Sequence, residues 1–132
     1  NEAARVLSQV KRVIRTNYSS PPTHGGQAVA MVLTTPALRT LWESELGQMR
    51  DRINGLRAEF SAGMHERLGE QRFDFVQRQR GMFSFLGLSE QQVLRLRNEY
   101  GIYMLNSSRA SIAGLNRQNL AYVCDAVATV AR

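Results

Sequence analysis

Cysteine, histidine and lysine are scarce in this sequence, and each scarcity closes off a class of chemistry. Cys124 is the one cysteine in 132 residues. No internal disulfide or cysteine-ligated zinc site can form from it, and a reducing cytoplasmic compartment is the natural expectation. The two histidines, His24 and His65, lie 41 positions apart with no cysteine near either, which leaves metal chemistry without a ligand set. Lysine occurs once, as Lys11, although the chain carries 17 basic residues; the other 16 are arginine. No apolar run approaches the roughly 18 residues that would span a bilayer, and no basic-then-apolar leader opens the chain. The first residue is Asn1, so the numbering is expected to begin inside a longer or processed polypeptide. What remains, 43% hydrophobic and 21% charged, is the composition of a compact soluble domain and excludes collagen, disulfide scaffolds and disordered tails.

The charge is uneven. Residues 3–42 hold Arg5, Lys11, Arg12, Arg15 and Arg39 with no acid, a local balance of +5, whereas 12 arginines face 10 acids from Glu43 onward. The later arginines alternate with acids and read as solvated helix faces. A nucleic-acid surface would gather its cations on one face beside stacking aromatics, and this pattern does not.

Apolar residues Val6, Leu7, Val10, Val13 and Ile14 recur at steps of three and four, predicting an amphipathic helix over residues 3–15. Asn17 to Pro22 then forms an ordered loop, since two prolines hold the backbone extended. Residues 25–33 read as a short buried helix. Thr35 before Pro36 is a helix-start signal, and an apolar stripe from Leu38 through Leu41, Trp42, Leu46, Met49, Ile53, Leu56, Phe60 and Met64 to Leu68 predicts one helix over residues 36–68. Such a rod is about 50 Å long, against roughly 30 Å for a compact domain of this chain length. It is therefore expected to bridge two domains or reach a partner. Gly47, Gly55 and Gly63 recur along it every eight residues, consistent with close backbone approach or with chance. Beyond it, Phe73 to Val76, Met82 to Leu86, Ile102 to Leu105 and Ala110 to Ala113 read as short strands. Ser89 with Gln92 is a capping-box pattern opening a helix that stops at Gly101, and Asn116 is expected to cap a last helix. The fold class expected is α/β: a small mixed or antiparallel sheet flanked by helices, with a long bridging helix.

Arg109, in Asn106-Ser107-Ser108-Arg109-Ala110-Ser111, is the strongest site candidate. At the lip of a strand among small residues, its planar fork can meet a carboxylate or phosphate in a way lysine cannot; a surface ion pair is the competing reading. Arg15, ending a helix before the proline loop, would also suit the negative end of that helix. No nucleophile elbow, oriented histidine or phosphate loop is present, and Gly25-Gly26 is too short to cradle a phosphate. Glu43, Glu45 and Asp51 lie on the polar face of the long helix, where they balance Arg50 and Arg52.

Four segments carry a resemblance: Asn17-Tyr18-Ser19-Ser20-Pro21-Pro22-Thr23-His24-Gly25, Gly81-Met82-Phe83-Ser84-Phe85, Val93 to Arg97 with Tyr100 to Tyr103, and Ser107-Ser108-Arg109 with Ala113-Gly114-Leu115. In order and spacing, from about Arg5 to the end, the chain resembles the C-terminal third of aspartate and aromatic-amino-acid aminotransferases, fold type I enzymes of amino acid biosynthesis that use pyridoxal phosphate. The resemblance implies that residues 1–48 are a remnant of the large cofactor domain with the start of the bridging helix, and residues 49–132 the small C-terminal domain. It implies that Arg109 pairs with the α-carboxylate of the substrate. It further implies that Arg15 reaches into the neighbouring subunit of a homodimer to bind the distal carboxylate of a dicarboxylic substrate, that Ser19 and Ser20 lie on the intersubunit loop, and that Phe83 sits near the substrate entrance. The parent would move an amino group between an amino acid and a 2-oxo acid. The Schiff-base lysine, the aspartate facing the pyridine nitrogen and the phosphate-binding residues would all lie upstream of Asn1, and Lys11 matches no cofactor motif. The chain alone is therefore expected to be inactive, with no catalytic, cofactor-binding or metal residue of its own and no bound pyridoxal phosphate. Ser108 departs from the family, which has glycine there; if that position needs positive φ, serine would shift Arg109. Residues 3–35, as part of the large domain, are expected to cover their apolar faces by self-association.

The alternative from another class is a stand-alone helical interaction module with a basic N-terminal face. Neither reading involves nucleic acid or membrane. A nucleic-acid reading would predict affinity that falls steeply as salt rises, and no retention on heparin or DNA at low salt would dispose of it.

Overall fold

Asn1 begins the first helix by accepting the Ala3 amide on its side chain at 3.2 Å in a computed structural model that describes all 132 residues. The chain divides into two units, Asn1–Glu45 and Leu46–Arg132. In the first, α1 (Glu2–Tyr18) runs three residues past Arg15 before Ser19, at φ 55°, turns the chain. Asn17 and Tyr18 thus belong to the helix, not the loop. Helix α2 (Thr23–Thr34) follows the prolines and ends at Thr35, and α3 (Pro36–Leu68) starts at Pro36 as its missing N–H allows. The expectation that residues 25–33 are buried is overturned: no residue of α2 is buried, with Val29 at 59% and Met31 at 62% exposure. Apolar composition states what a helix would gain from cover, and within this unit nothing supplies it.

In the second unit α3 contributes Leu56, Phe60 and Met64 to a core completed by α5 (Glu90–Tyr100) and α6 (Leu120–Ala131). Of the three periodic glycines, Gly63 alone meets close packing, since a Cβ there would lie 3.0 Å from the Cys124 Sγ. Burial pushes the Cys124 thiol up to about 11, so it stays protonated at neutral pH and behaves as a small apolar side chain. Arg67 ties the same helices by pairing with Asp125 at 2.6 Å.

The sheet is smaller than the sequence suggests. Strands β1 (Phe83–Phe85) and β2 (Arg109–Ser111) pair antiparallel, with Phe83 opposite Ser111, Ser84 opposite Ala110 and Phe85 opposite Arg109. Phe73 to Val76 is not a strand; turns into the short helix α4 (Phe75–Arg78) use the bonds Val76 N–H to Phe73 C=O and Gln77 N–H to Asp74 C=O. That places Phe73 and Val76, three apart, inside together, with Phe73 edge-on to Phe60 at 6.1 Å. Ile102 to Leu105 is also no strand. The Ile102 N–H closes the end of α5 on the Leu96 carbonyl, and the Leu105 N–H serves a turn by donating to the Arg109 carbonyl, so no ladder forms. Ile112–Gly114 is a 3₁₀ turn continuing from β2. The capping box at Ser89 and Gln92 and the left-handed Gly101 bound α5 as the sequence indicates. Asn116 does not cap α6: its Oδ1 accepts the Gln118 and Asn119 amides in the preceding turn, and Asn119 stands at the helix start.

Ser108 holds φ 66° and is fully buried, a conformation that costs a residue with a Cβ about 1 kcal/mol. Its hydroxyl answers by accepting the buried Leu88 N–H at 2.9 Å, while its carbonyl accepts Leu86 N–H at 2.9 Å. In chemical denaturation, Ser108→Ala is expected to lose about 1–3 kcal/mol by orphaning the Leu88 amide. Ser108→Gly, which loses the same bond but relieves the strain, should lose about 1 kcal/mol less than Ser108→Ala.

Candidate functional site

The Arg109 corner is built by the loop before it. Ser108 N–H closes onto the Leu105 carbonyl at 2.8 Å and Leu105 N–H onto the Arg109 carbonyl at 3.3 Å, which sets Arg109 as the first residue of β2. On the neighbouring strand Phe83 presents its ring to the Arg109 guanidinium, whose central carbon lies 4.9 Å from the ring centroid. A cation over a ring face is held in plane without using its N–H donors. Arg109 is exposed and takes part in none of the ion pairs of the chain. The fork is thus available to an anion.

The cleft around it, about 430 Å³, is lined by Gln79, Arg80, Phe83, Ser84, Phe85, Ser107 and Arg109. It contains two cations and no carboxylate, so its field favours an anionic ligand. Gln79 closes one side by acting as a piece of strand: its amide donates to the Phe85 carbonyl and accepts the Phe85 N–H, both at 3.2 Å. The geometry can bind and orient a carboxylate or phosphate; no carboxylate or imidazole lines the cleft to act as general base for its two hydroxyls, Ser84 and Ser107.

Two candidates from the sequence, Arg109 and Phe83, are therefore brought together. Arg15 and Ser19 belong to the first unit, where the Ser19 N–H donates to the Arg15 carbonyl at 3.0 Å. Both side chains are exposed, as is Ser20. Lys11 is exposed on α1. Of the acids on α3, Glu43 pairs with Arg39 and Asp51 with Arg50, each at 2.9 Å. Arg52 instead donates to the carbonyls of Ala113 and Leu115. That draws the turn after β2 onto α3.

Arg57 was missed by motif reasoning. It is 1% exposed and bonds to the segment leading into β1. A signal was present: Arg57 lies four residues after Ile53, three before Phe60 and seven before Met64, squarely on the apolar stripe. Gln79 and Arg80 carried no comparable signal, because a turn, not a periodicity, brings them to the cleft.

The family model for aminotransferase class I and II matches residues 2–127. The chain is 52% identical over 130 residues to an aspartate aminotransferase of Pseudomonas aeruginosa, covering 98% of this chain and 33% of that protein. It is 47% identical over 128 residues to an aromatic-amino-acid aminotransferase of Escherichia coli, covering 97% and 32%. Among solved structures, the aromatic-amino-acid aminotransferase of Burkholderia pseudomallei, covalently bound to pyridoxal phosphate, superposes with a TM-score of 0.91 at 53% identity over 99% of this chain and 33% of that one. The chain thus spans about a third of the length of these relatives. With the match running through nearly every residue of both units, this chain belongs to the class I and II aminotransferase family.

Proposed function

We propose that the chain supplies the carboxylate-binding part of an aminotransferase acting on aspartate or aromatic amino acids, which transfers an amino group to a 2-oxo acid. The observation that carries this reading is the Arg109 fork, backed by Phe83 at 4.9 Å and free of any acid. Two charge-assisted bonds from one planar group fix both the position and the plane of an α-carboxylate, and so orient the bond at the α-carbon for reaction. A psychrophilic relative from Psychrobacter, 42% identical, was cocrystallised with aspartic acid, which supports a carboxylate ligand of this kind. Arg15 takes the distal carboxylate of a dicarboxylic substrate from the neighbouring subunit of a homodimer, with Ser19 on the same intersubunit loop. Residues 1–48 belong to the cofactor domain and residues 49–132 to the small domain. No helix is long and apolar enough to cross a membrane, and a cytoplasmic setting suits the reduced Cys124 thiol.

The residues of this chain do not fit pyridoxal phosphate. Its one side-chain amine, Lys11, is exposed on α1, without burial or a hydrogen-bonded partner to hold an aldehyde against it, and no phosphate cradle accompanies it. The contribution of the chain is to bind and orient the substrate. Mixed with pyridoxal phosphate, it is expected to develop no absorbance band of lysine-bound cofactor and no transamination; a band abolished by Lys11→Arg would overturn this assignment.

In the complete enzyme, Arg109→Lys is expected to lower kcat/KM for every amino acid substrate by roughly 10- to 100-fold, the worth of a lost bond between charged partners. Arg15→Ala should lower it for aspartate far more than for phenylalanine. Steady-state kinetics on the two substrates checks both, and an equal loss on both in Arg15→Ala would remove Arg15 from substrate selection.

A further inference from the structure

Arg57 is a buried cation with no counter-ion. It sits in the middle of α3 at 1% exposure, and none of the five ion pairs of the chain includes it. Nη1 donates to the Val76 carbonyl at 3.0 Å and to the Ser84 hydroxyl, and Nη2 to the carbonyls of Gly81 at 2.7 Å and Phe83 at 3.0 Å. Its Nε–H has no partner. Burial, with a contribution from the charge of Arg80, pushes its pKa down, the direction expected where nothing negative offsets the desolvation.

A buried charge held by neutral groups alone is a costly way to fill a core, and apolar side chains of similar volume commonly serve as well or better. The distribution of the acceptors indicates what the charge does. All four lie in one stretch, Val76 to Ser84, which leads into β1 and contains Phe83. The Phe83 carbonyl is bound to Arg57 while its ring lies under Arg109. Ser84, the next acceptor, pairs across the sheet with Ala110, the neighbour of Arg109. Two adjacent residues of β1 therefore connect Arg57 to the Arg109 corner, one through the ring contact and one through the ladder.

We propose that Arg57 is a positioning residue for carboxylate recognition: by clamping the main chain at Gly81 and Phe83 and the Ser84 hydroxyl, it holds the Phe83 ring as the platform that fixes the plane of the Arg109 fork. Arg57 touches no ligand. Its effect is to limit the rotamer freedom that Arg109 must give up when a carboxylate arrives. This inference rests on the reading of Arg109 as a carboxylate receptor.

The test uses the complete enzyme, labelled for NMR at its backbone amides and arginine side chains, with succinate as the probe. The readouts are the amide spectrum, the ring-current displacement of the Arg109 Nε–H by Phe83, and the succinate affinity. Arg57→Lys removes the fork while keeping the charge; Ser84→Ala removes a single contact and is the gentler variant should Arg57→Lys unfold. Expected is a retained core spectrum, a reduced ring-current displacement and roughly tenfold weaker succinate binding in Arg57→Lys. Ser84→Ala should show a smaller change in the same direction. Adding Phe83→Leu to Arg57→Lys should then cost little more, because the two act through one contact. If either folded variant lowers thermal stability but keeps the wild-type Arg109 displacement and affinity, Arg57 is structural only and the proposal falls. If Arg109→Leu binds succinate as well as the wild type does, or if the wild type binds none, the carboxylate reading itself fails and takes this inference with it.

Discussion

Where α3 passes α6 the side chain at position 63 is a hydrogen atom, and the second unit depends on that absence. The Cys124 Sγ occupies the space a Cβ would need, at 3.0 Å, and also lies 3.9 Å from the Phe60 carbonyl. At this separation Phe60 and Met64 reach the same interior as Val127 and Val130, all at most 2% exposed. Closely packed interiors transmit displacement instead of absorbing it. A wider crossing here would therefore move Arg57, one turn before Phe60 and Ser61, and with it the segment that leads into β1. The Arg109 corner is thus referenced to a helix crossing made of apolar contacts.

The two units use their apolar residues differently. In the second, the stripe of α3 is matched by neighbours and Leu56, Phe60 and Met64 disappear from solvent. In the first, no residue of α1 or α2 is buried, although α1 presents Val6, Val10, Val13 and Ile14 along one side. The apolar stripes of α1 and α3 are both readable in the sequence. Period reports which face of a helix is apolar, and what covers that face is a separate fact that the period does not carry.

The same distinction governs how much could be read from residues alone. The limits of α3 were legible because Pro36 marks a start and the stripe continues to Leu68; the capping box of α5 was legible because its chemistry is local. Phe73 to Val76 misled because three apolar or aromatic residues within a run of four, Phe73, Phe75 and Val76, suit a strand and a helical turn alike, and only the contact with Phe60 decides between them. Ile102 to Leu105 has strand-like composition, but its amides are used by the end of α5 and by the turn before Arg109. At the site, Arg109 and Phe83 were recognised by motif. Arg57, Gln79 and Arg80 were not, since their roles arise from partners 19 to 27 residues away in the case of Arg57 and from turn geometry for the other two. Ser108 shows a local rule broken with compensation in plain view: the serine that the backbone disfavours brings the hydroxyl that the Leu88 amide requires.

Six of the 16 arginines in this chain fasten backbone oxygen. Arg52 holds Ala113 and Leu115, Arg57 holds Val76, Gly81 and Phe83, Arg72 holds Ala131, and Arg132 holds Arg67, each through a carbonyl. Carbonyls do not titrate, and guanidinium keeps its proton across the range in which proteins survive. Joints made this way contribute no proton uptake on unfolding, unlike carboxylate pairs, which are lost as acid neutralises one partner. The clamp of Arg57 on the segment leading into β1 is consequently indifferent to acid, whereas the Arg67–Asp125 pair that ties α3 to α6 is not, so a falling pH would loosen the helix crossing before it reached the bonds around Phe83.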